Sequence, residues 1–190
     1  MGPPKHGIVS RLPSPFARRV RAIWRRLERD HGLRGVLVMP FPHFSYQVAA
    51  DYDRDALESA LARLAGTLPP FVVRTDGVAT FPGPWPVVFI RVVADPHLRA
   101  VHRRIWSAVA PHVRDPMEYY LPGRWVPHIT LAHGEERNSV PLSEPTVCSV
   151  LSALDLDGFR WSVPVRSLSL VWDEGSVQRP VRSFVLRGRS

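Results

Sequence analysis

The feature that most restricts how this chain can fold is a repeat. Two short runs, PHFSYQV at 42–48 and PHITLAH at 127–133, each place a histidine after a proline and a hydroxyl two residues later. Each run closes the same succession: a short apolar strand, a helix opened by proline and carrying an Ile-Trp pair, a loop, then Pro-His. The pairs Ile23-Trp24 and Ile105-Trp106 lie 82 residues apart, and His43 and His128 lie 85 apart. The segments downstream of the two runs match too. A Leu-rich helix ends in LARLAGTLPPF in one half and in VLSALDLDGF in the other. Each leads into a two-strand unit, VVRTDGVATF with PVVFIRVV and WSVPVRSLSLVW with VRSFVLRG. Such a chain is expected to be α+β, with two pseudo-symmetric duplicated lobes, each an antiparallel sheet with helices on its outer face, around a central cleft. A pseudo-twofold axis sets equivalent residues on opposite sides of that cleft. The 190 residues suit a single bilobal domain, 1–190.

Local patterns fill in the elements. GIVSRL at 7–12 reads as a strand. Ser14 as cap and Pro15 in the first turn open a helix whose buried stripe is Phe16, Val20, Ile23, Trp24 and Leu27; Gly32 ends it. GVLVM at 35–39 is strand-like. A second helix covers 53–65, with Leu57, Leu61 and Leu64 in register, and strands come next at 71–81 and 86–93. Asp95 and Pro96 open a third helix with Leu98, Val101, Ile105, Trp106 and Val109 as its stripe. Residues 114–127 read as a long aromatic loop, HITLA as a strand, and 143–154 as a helix in which Cys148 is a small buried hydrophobe. FRWSVPVRSLSLVW and VRSFVLRG read as long strands.

Charge is concentrated at one end. Residues 1–34 hold nine basic and two acidic residues, whereas the remainder holds 16 and 15. A local positive field favours polyanions. Several classes are disfavoured. No apolar run of about 18 residues is present to span a membrane, and MGPPKHGIVSRLP lacks the apolar core of a secretory signal. One cysteine forms no intramolecular disulfide, so a reducing, cytoplasmic setting is expected. There is no Walker loop, GxGxxG, GxSxG elbow or Cys pair, and the only lysine is Lys5, which disfavours an ATP-dependent ligase with a lysine nucleophile. His97, His102 and His112 lack metal-ligand spacing, so neither a metal nor another cofactor is expected.

Strand alternation gives the two runs their chemistry. His43, Ser45 and Gln47 are expected on one face with Phe44, Tyr46 and Val48 on the other; His128, Thr130 and Ala132 likewise share a face. Across a cleft, two imidazoles and two hydroxyls converge. One imidazole takes a proton from an attacking group and the other gives one to a departing oxygen. The hydroxyls donate to non-bridging phosphate oxygens, where charge builds. With 8 histidines, composition alone predicts about one His-x-Ser/Thr match; two occur, in equivalent places. That constellation suits a phosphodiester.

On these motifs the chain resembles the two-histidine (2H) phosphoesterases, and among them the bacterial and archaeal 2′–5′ RNA ligase, or RNA 2′,3′-cyclic phosphodiesterase, group. PHITLAH resembles the family's second motif closely. PHFSYQV resembles the first, with Ser45 where Thr is commoner and Gln47 where some relatives carry a basic residue. The resemblance implies two α+β lobes flanking a cleft, His43 and His128 as the catalytic pair, and Ser45 and Thr130 as phosphate-binding hydroxyls. It implies hydrolysis of 2′,3′-cyclic phosphate to 2′-phosphate without metal or ATP, on RNA or a small cyclic-phosphate nucleotide. ATP-independent 2′–5′ ligation by the same site is the near alternative, and a non-catalytic RNA-binding module the distant one. Gln47 joins the substrate-binding candidates. So do Tyr120 and Arg124, from the aromatic loop, by base stacking or phosphate contact. A monomer is expected.

Overall fold

The computed structural model describes residues 6–34, 41–83, 85–133, 142–154, 156–173 and 178–189. The strand expected at 35–39 lies outside them. The chain runs β1 (His6–Arg11), α1 (Ser14–His31), β2 (His43–Tyr52), α2 (Arg54–Thr67), β3 (Phe71–Phe81), β4 (Val87–Val92), α3 (Pro96–Val109), β5 (Val113–Pro116), β6 (His128–His133), α4 (Glu144–Ala153), β7 (Ser162–Val165), β8 (Ser167–Asp173) and β9 (Gln178–Val185). All strand pairs are antiparallel. One sheet has the order β5-β2-β1-β8-β9 and the other β6-β4-β3-β7.

These orders correspond strand for strand: β2-β1-β8-β9 maps onto β6-β4-β3-β7. The two α+β lobes are therefore present, but neither is a contiguous half of the chain. The first half supplies β1 and β2 to one sheet and sends β3 to the other. β4, grouped by the sequence pattern with β3 as the close of the first half, is instead the counterpart of β1 and opens the second half, which also supplies β6 and returns β8 to pair with β1. The run WSVPVRSLSLVW is not one strand. It breaks at Arg166, with β7 pairing β3 in one sheet and β8 pairing β1 in the other. Its backbone thus crosses between lobes.

Helix ends obey their local chemistry. Asp53 and Asp95 cap α2 and α3 by accepting from Ala56 N–H and Leu98 N–H. Gly32 ends α1 in the left-handed region, φ 66°, and returns its N–H to the Glu28 carbonyl. Pro13, not Ser14, occupies the N-cap position of α1; the Ser14 hydroxyl instead accepts from Arg18. The expected stripe is buried at Val20, Trp24 and Leu27. Two further expectations fail. Cys148 is exposed on α4, because Val150 faces the core there and Cys148 lies about 200° around the helix from it. Part of the aromatic loop is β5, drawn into the sheet by pairing with residues 49–52 of β2. No helix among the described residues is long and apolar enough to cross a membrane.

Candidate active site

Both motifs are built alike. From the histidine onward, β2 and β6 show the same burial: half-buried His, buried apolar residue, half-buried Ser or Thr, then two buried residues. The cause is a matched pair of β-bulges. Val9 faces Ser45 and Ile8 faces Gln47, leaving Tyr46 as an extra residue. Phe89 faces Thr130 and Val88 faces Ala132, leaving Leu131 extra. A bulge re-aims the side chains beyond it. Strict alternation would keep Gln47 on the face of His43 and Ser45. The bulge sets it opposite Ile8, on the core side.

Opposed residues on neighbouring strands share a face. The open face of β2 therefore carries His43 with Arg11, and Ser45 with Val9. That of β6 carries His128 with Arg91, and Thr130 with Phe89. β2 and β6 approach each other where the two sheets meet. The ring of Phe41 lies edge-on to His43, at 5.6 Å between centroids, and Phe81 lies edge-on to His128 at 5.1 Å. Each imidazole thus stands against an apolar aromatic wall.

The two rings are tethered identically. Nδ1 of His43 lies 2.9 Å from the Phe41 carbonyl, and Nδ1 of His128 lies 2.8 Å from the Val126 carbonyl. A carbonyl only accepts, so Nδ1 carries the proton of each neutral ring. Nε2 is left to take or give a proton. Burial, joined by a smaller push from a positive charge on His128, drives His43 down to about 4 against the help of the Phe41 carbonyl. Burial also lowers His128, opposed by the Val126 carbonyl. The pair is electrostatically coupled: once one ring is charged, the second proton is disfavoured.

The backbone behind each motif is pinned from outside the sheet. β5 stops short of the motif end of β2, leaving edge carbonyls that must be satisfied. Trp125 Nε1–H donates to the Ser45 carbonyl at 2.9 Å, His102 Nε2–H to the Tyr46 carbonyl at 3.0 Å, and Met117 N–H to the Val48 carbonyl at 2.9 Å. Trp125 and His102 stack face to face at 4.0 Å. On β6, Trp24 Nε1–H donates to the Thr130 carbonyl at 3.1 Å. Spacing alone places Trp24 in the core stripe of α1 and shows His102 only as lacking metal-ligand spacing. The signal for His102 was its place between Leu98 and Ile105, on the buried face of α3.

Of the residues singled out, the structure brings His43, Ser45, His128 and Thr130 to facing positions. Tyr120 joins them: burial pushes its phenol up to about 12 against the Ser45 hydroxyl beside it, so it stays protonated at neutral pH. Gln47 and Arg124 do not join. Gln47 is buried, accepts a hydrogen bond from Tyr52 and leaves its Nε2 without a partner. Arg124 is exposed and paired with Glu118. Arg11, Arg91, Phe41, Phe81 and Phe89 are the residues around the pair that sequence reasoning missed. Their nearness depends on a pairing register that no local pattern reveals.

The fold and the paired tethered histidines define a bilobal two-histidine phosphoesterase. A family model described as the 2′-5′ RNA ligase superfamily matches residues 12–176, and the chain belongs to that family. Membership places it among phosphodiesterase- or ligase-type enzymes. The structure is similar to TT0787 of Thermus thermophilus, with a TM-score of 0.64 at 22% identity over 98% of this chain and 100% of that one. It is similar also to E. coli LigT in apo form, at 0.59 and 18% over 97% and 98%, and to LigT complexed with 3′-AMP, at 0.58 and 18% over 97% and 99%. At these identities the structural likeness concerns the fold. A comparison with curated proteins gave no match.

Proposed function

We propose that this protein opens 2′,3′-cyclic phosphate at RNA ends to a 2′-phosphate. Water attacks phosphorus and gives a proton to one Nε2 as the P–O3′ bond breaks. The other imidazole, protonated, delivers its proton to O3′. Ser45, Thr130 and Tyr120 donate to the non-bridging oxygens, where charge develops. The histidine that accepted the water proton begins the next turnover as the acid, unless solvent exchange restores the first state. No step calls for a metal. The observation that carries this reading is the pair of identical Nδ1 tethers, which leave two coupled Nε2 atoms free on facing strands.

The test is turnover of a dinucleotide ending in 2′,3′-cyclic phosphate, in EDTA, read by product phosphate position. His43→Ala and His128→Ala are each expected to lose about 10²–10⁴-fold in kcat, and Ser45→Ala and Thr130→Ala less. Full activity in the double histidine variant would overturn the mechanism.

A further inference from the structure

α1 begins at the mouth of the cleft. β1 ends at Arg11, directly opposite His43, and Leu12 N–H bonds to the Pro42 carbonyl just ahead of that histidine. The helix starts three residues after Arg11. Arg18, Arg21 and Arg25 then recur at the i, i+3, i+7 spacing that stacks side chains on one stripe, over about 10 Å of axis. All three are exposed, and none makes an ion pair among the described residues. Arg18 bonds only to the neutral Ser14 hydroxyl. Arg11 is also exposed, and its guanidinium lies 4.9 Å over the ring of Phe41.

The other lobe lacks this lane. Arg91, the counterpart of Arg11, is tied to Asp76 at 2.6 Å. On α3, the counterpart of α1, the positions 82 residues after Arg18, Arg21 and Arg25 are Ala100, Arg103 and Ser107, so only one cation of the stripe recurs there. Unneutralised charge therefore leads away from the site on the His43 side. An anionic membrane would meet the same charge, but the exposed residues of α1 include no large apolar side chain to enter a bilayer.

We propose that Arg18, Arg21 and Arg25 form a track for the phosphodiester backbone of a single-stranded RNA whose cyclic end lies in the cleft. This rests on the phosphodiesterase reading and deepens it. The substrate becomes an RNA several nucleotides long, not a small cyclic nucleotide.

The experiment compares a dinucleotide with a 12-mer, both ending in 2′,3′-cyclic phosphate, on the full chain and on the triple variant Arg18→Gln, Arg21→Gln, Arg25→Gln. Glutamine matches arginine in helix propensity. The wild-type protein is expected to show a lower KM for the 12-mer. That advantage should fade by about 20-fold between about 50 and 200 mM salt, as expected for three single-strand phosphate contacts. In the triple variant, dinucleotide kcat/KM stays unchanged while the length advantage disappears. Equal KM for both substrates in the wild type, or a retained advantage in the variant, overturns the track. Failure to open either substrate overturns the hydrolase reading instead. Fluorescence anisotropy with a 12-mer bearing a 2′-phosphate then still decides the track. Equal binding by both proteins there, or arginine-dependent binding only to phosphatidylserine vesicles, overturns it.

Discussion

Trp24 donates its indole N–H to the carbonyl of Thr130, 106 residues further along the chain. A helix of the first half thereby holds the hydroxyl motif of the second, and Trp125 does the same for Ser45. Each motif is an edge strand at this point, so these indoles take the place of a neighbouring strand. Trp24→Phe keeps the apolar burial and removes one hydrogen bond. It is expected to lower stability by about 1 kcal/mol and kcat by about tenfold, since Thr130 is no longer held to its angle. Chemical denaturation and steady-state kinetics read both. Lost stability with unchanged kcat would reduce Trp24 to packing.

The coupled pair sets the pH dependence. Catalysis needs one charged and one neutral ring. Below about 4, His43 also takes a proton; above the depressed His128 value, neither ring holds one. The profile of kcat/KM is expected to be bell-shaped with its optimum between about pH 4 and 6.5. The kcat optimum lies higher, because the bound phosphate anion favours imidazolium. A kcat/KM optimum above pH 7.5 would contradict the assigned environments.

Stability carries the same signature. A histidine with a folded pKa below its unfolded value binds more protons when unfolded. Its contribution is intact above the unfolded pKa and lost as pH falls toward the folded one. For His43 that window runs from about 6.5 down to about 4. At pH 5 the loss is roughly 2 kcal/mol. His43→Gln should shrink the drop in unfolding free energy between pH 7 and 5 by about that amount. An unchanged drop would show that His43 is not desolvated.

Gln47 offers a test of its place in the core. Its amide nitrogen is buried without a partner, and its oxygen serves Tyr52. Gln47→Met with Tyr52→Phe removes both polar groups together. The double variant is expected to be as stable as the wild type or more so, with dinucleotide KM unchanged. A raised KM would return Gln47 to the substrate.

The helix opening at Asp95, the Gly32 stop and the two histidine motifs were legible from neighbours in the chain, because spacing and local hydrogen bonding decide them. The same local logic misplaced Gln47, because alternation assumes an unbroken pleat and a bulge is defined only by the partner strand. It also read residues 159–172 as one strand, since nothing local marks the passage at Arg166 from one sheet to another.

What the sequence determined by itself is the duplication, and with it which residues are equivalent: His43 with His128, Ser45 with Thr130. Only the tertiary structure decided how the copies share their strands, which face each side chain takes after its bulge, and which arginines stand unpaired beside the pair. Register, burial and desolvation are relations between distant segments. They acquire values only when β1 meets β2 and β8, and when β4 meets β6.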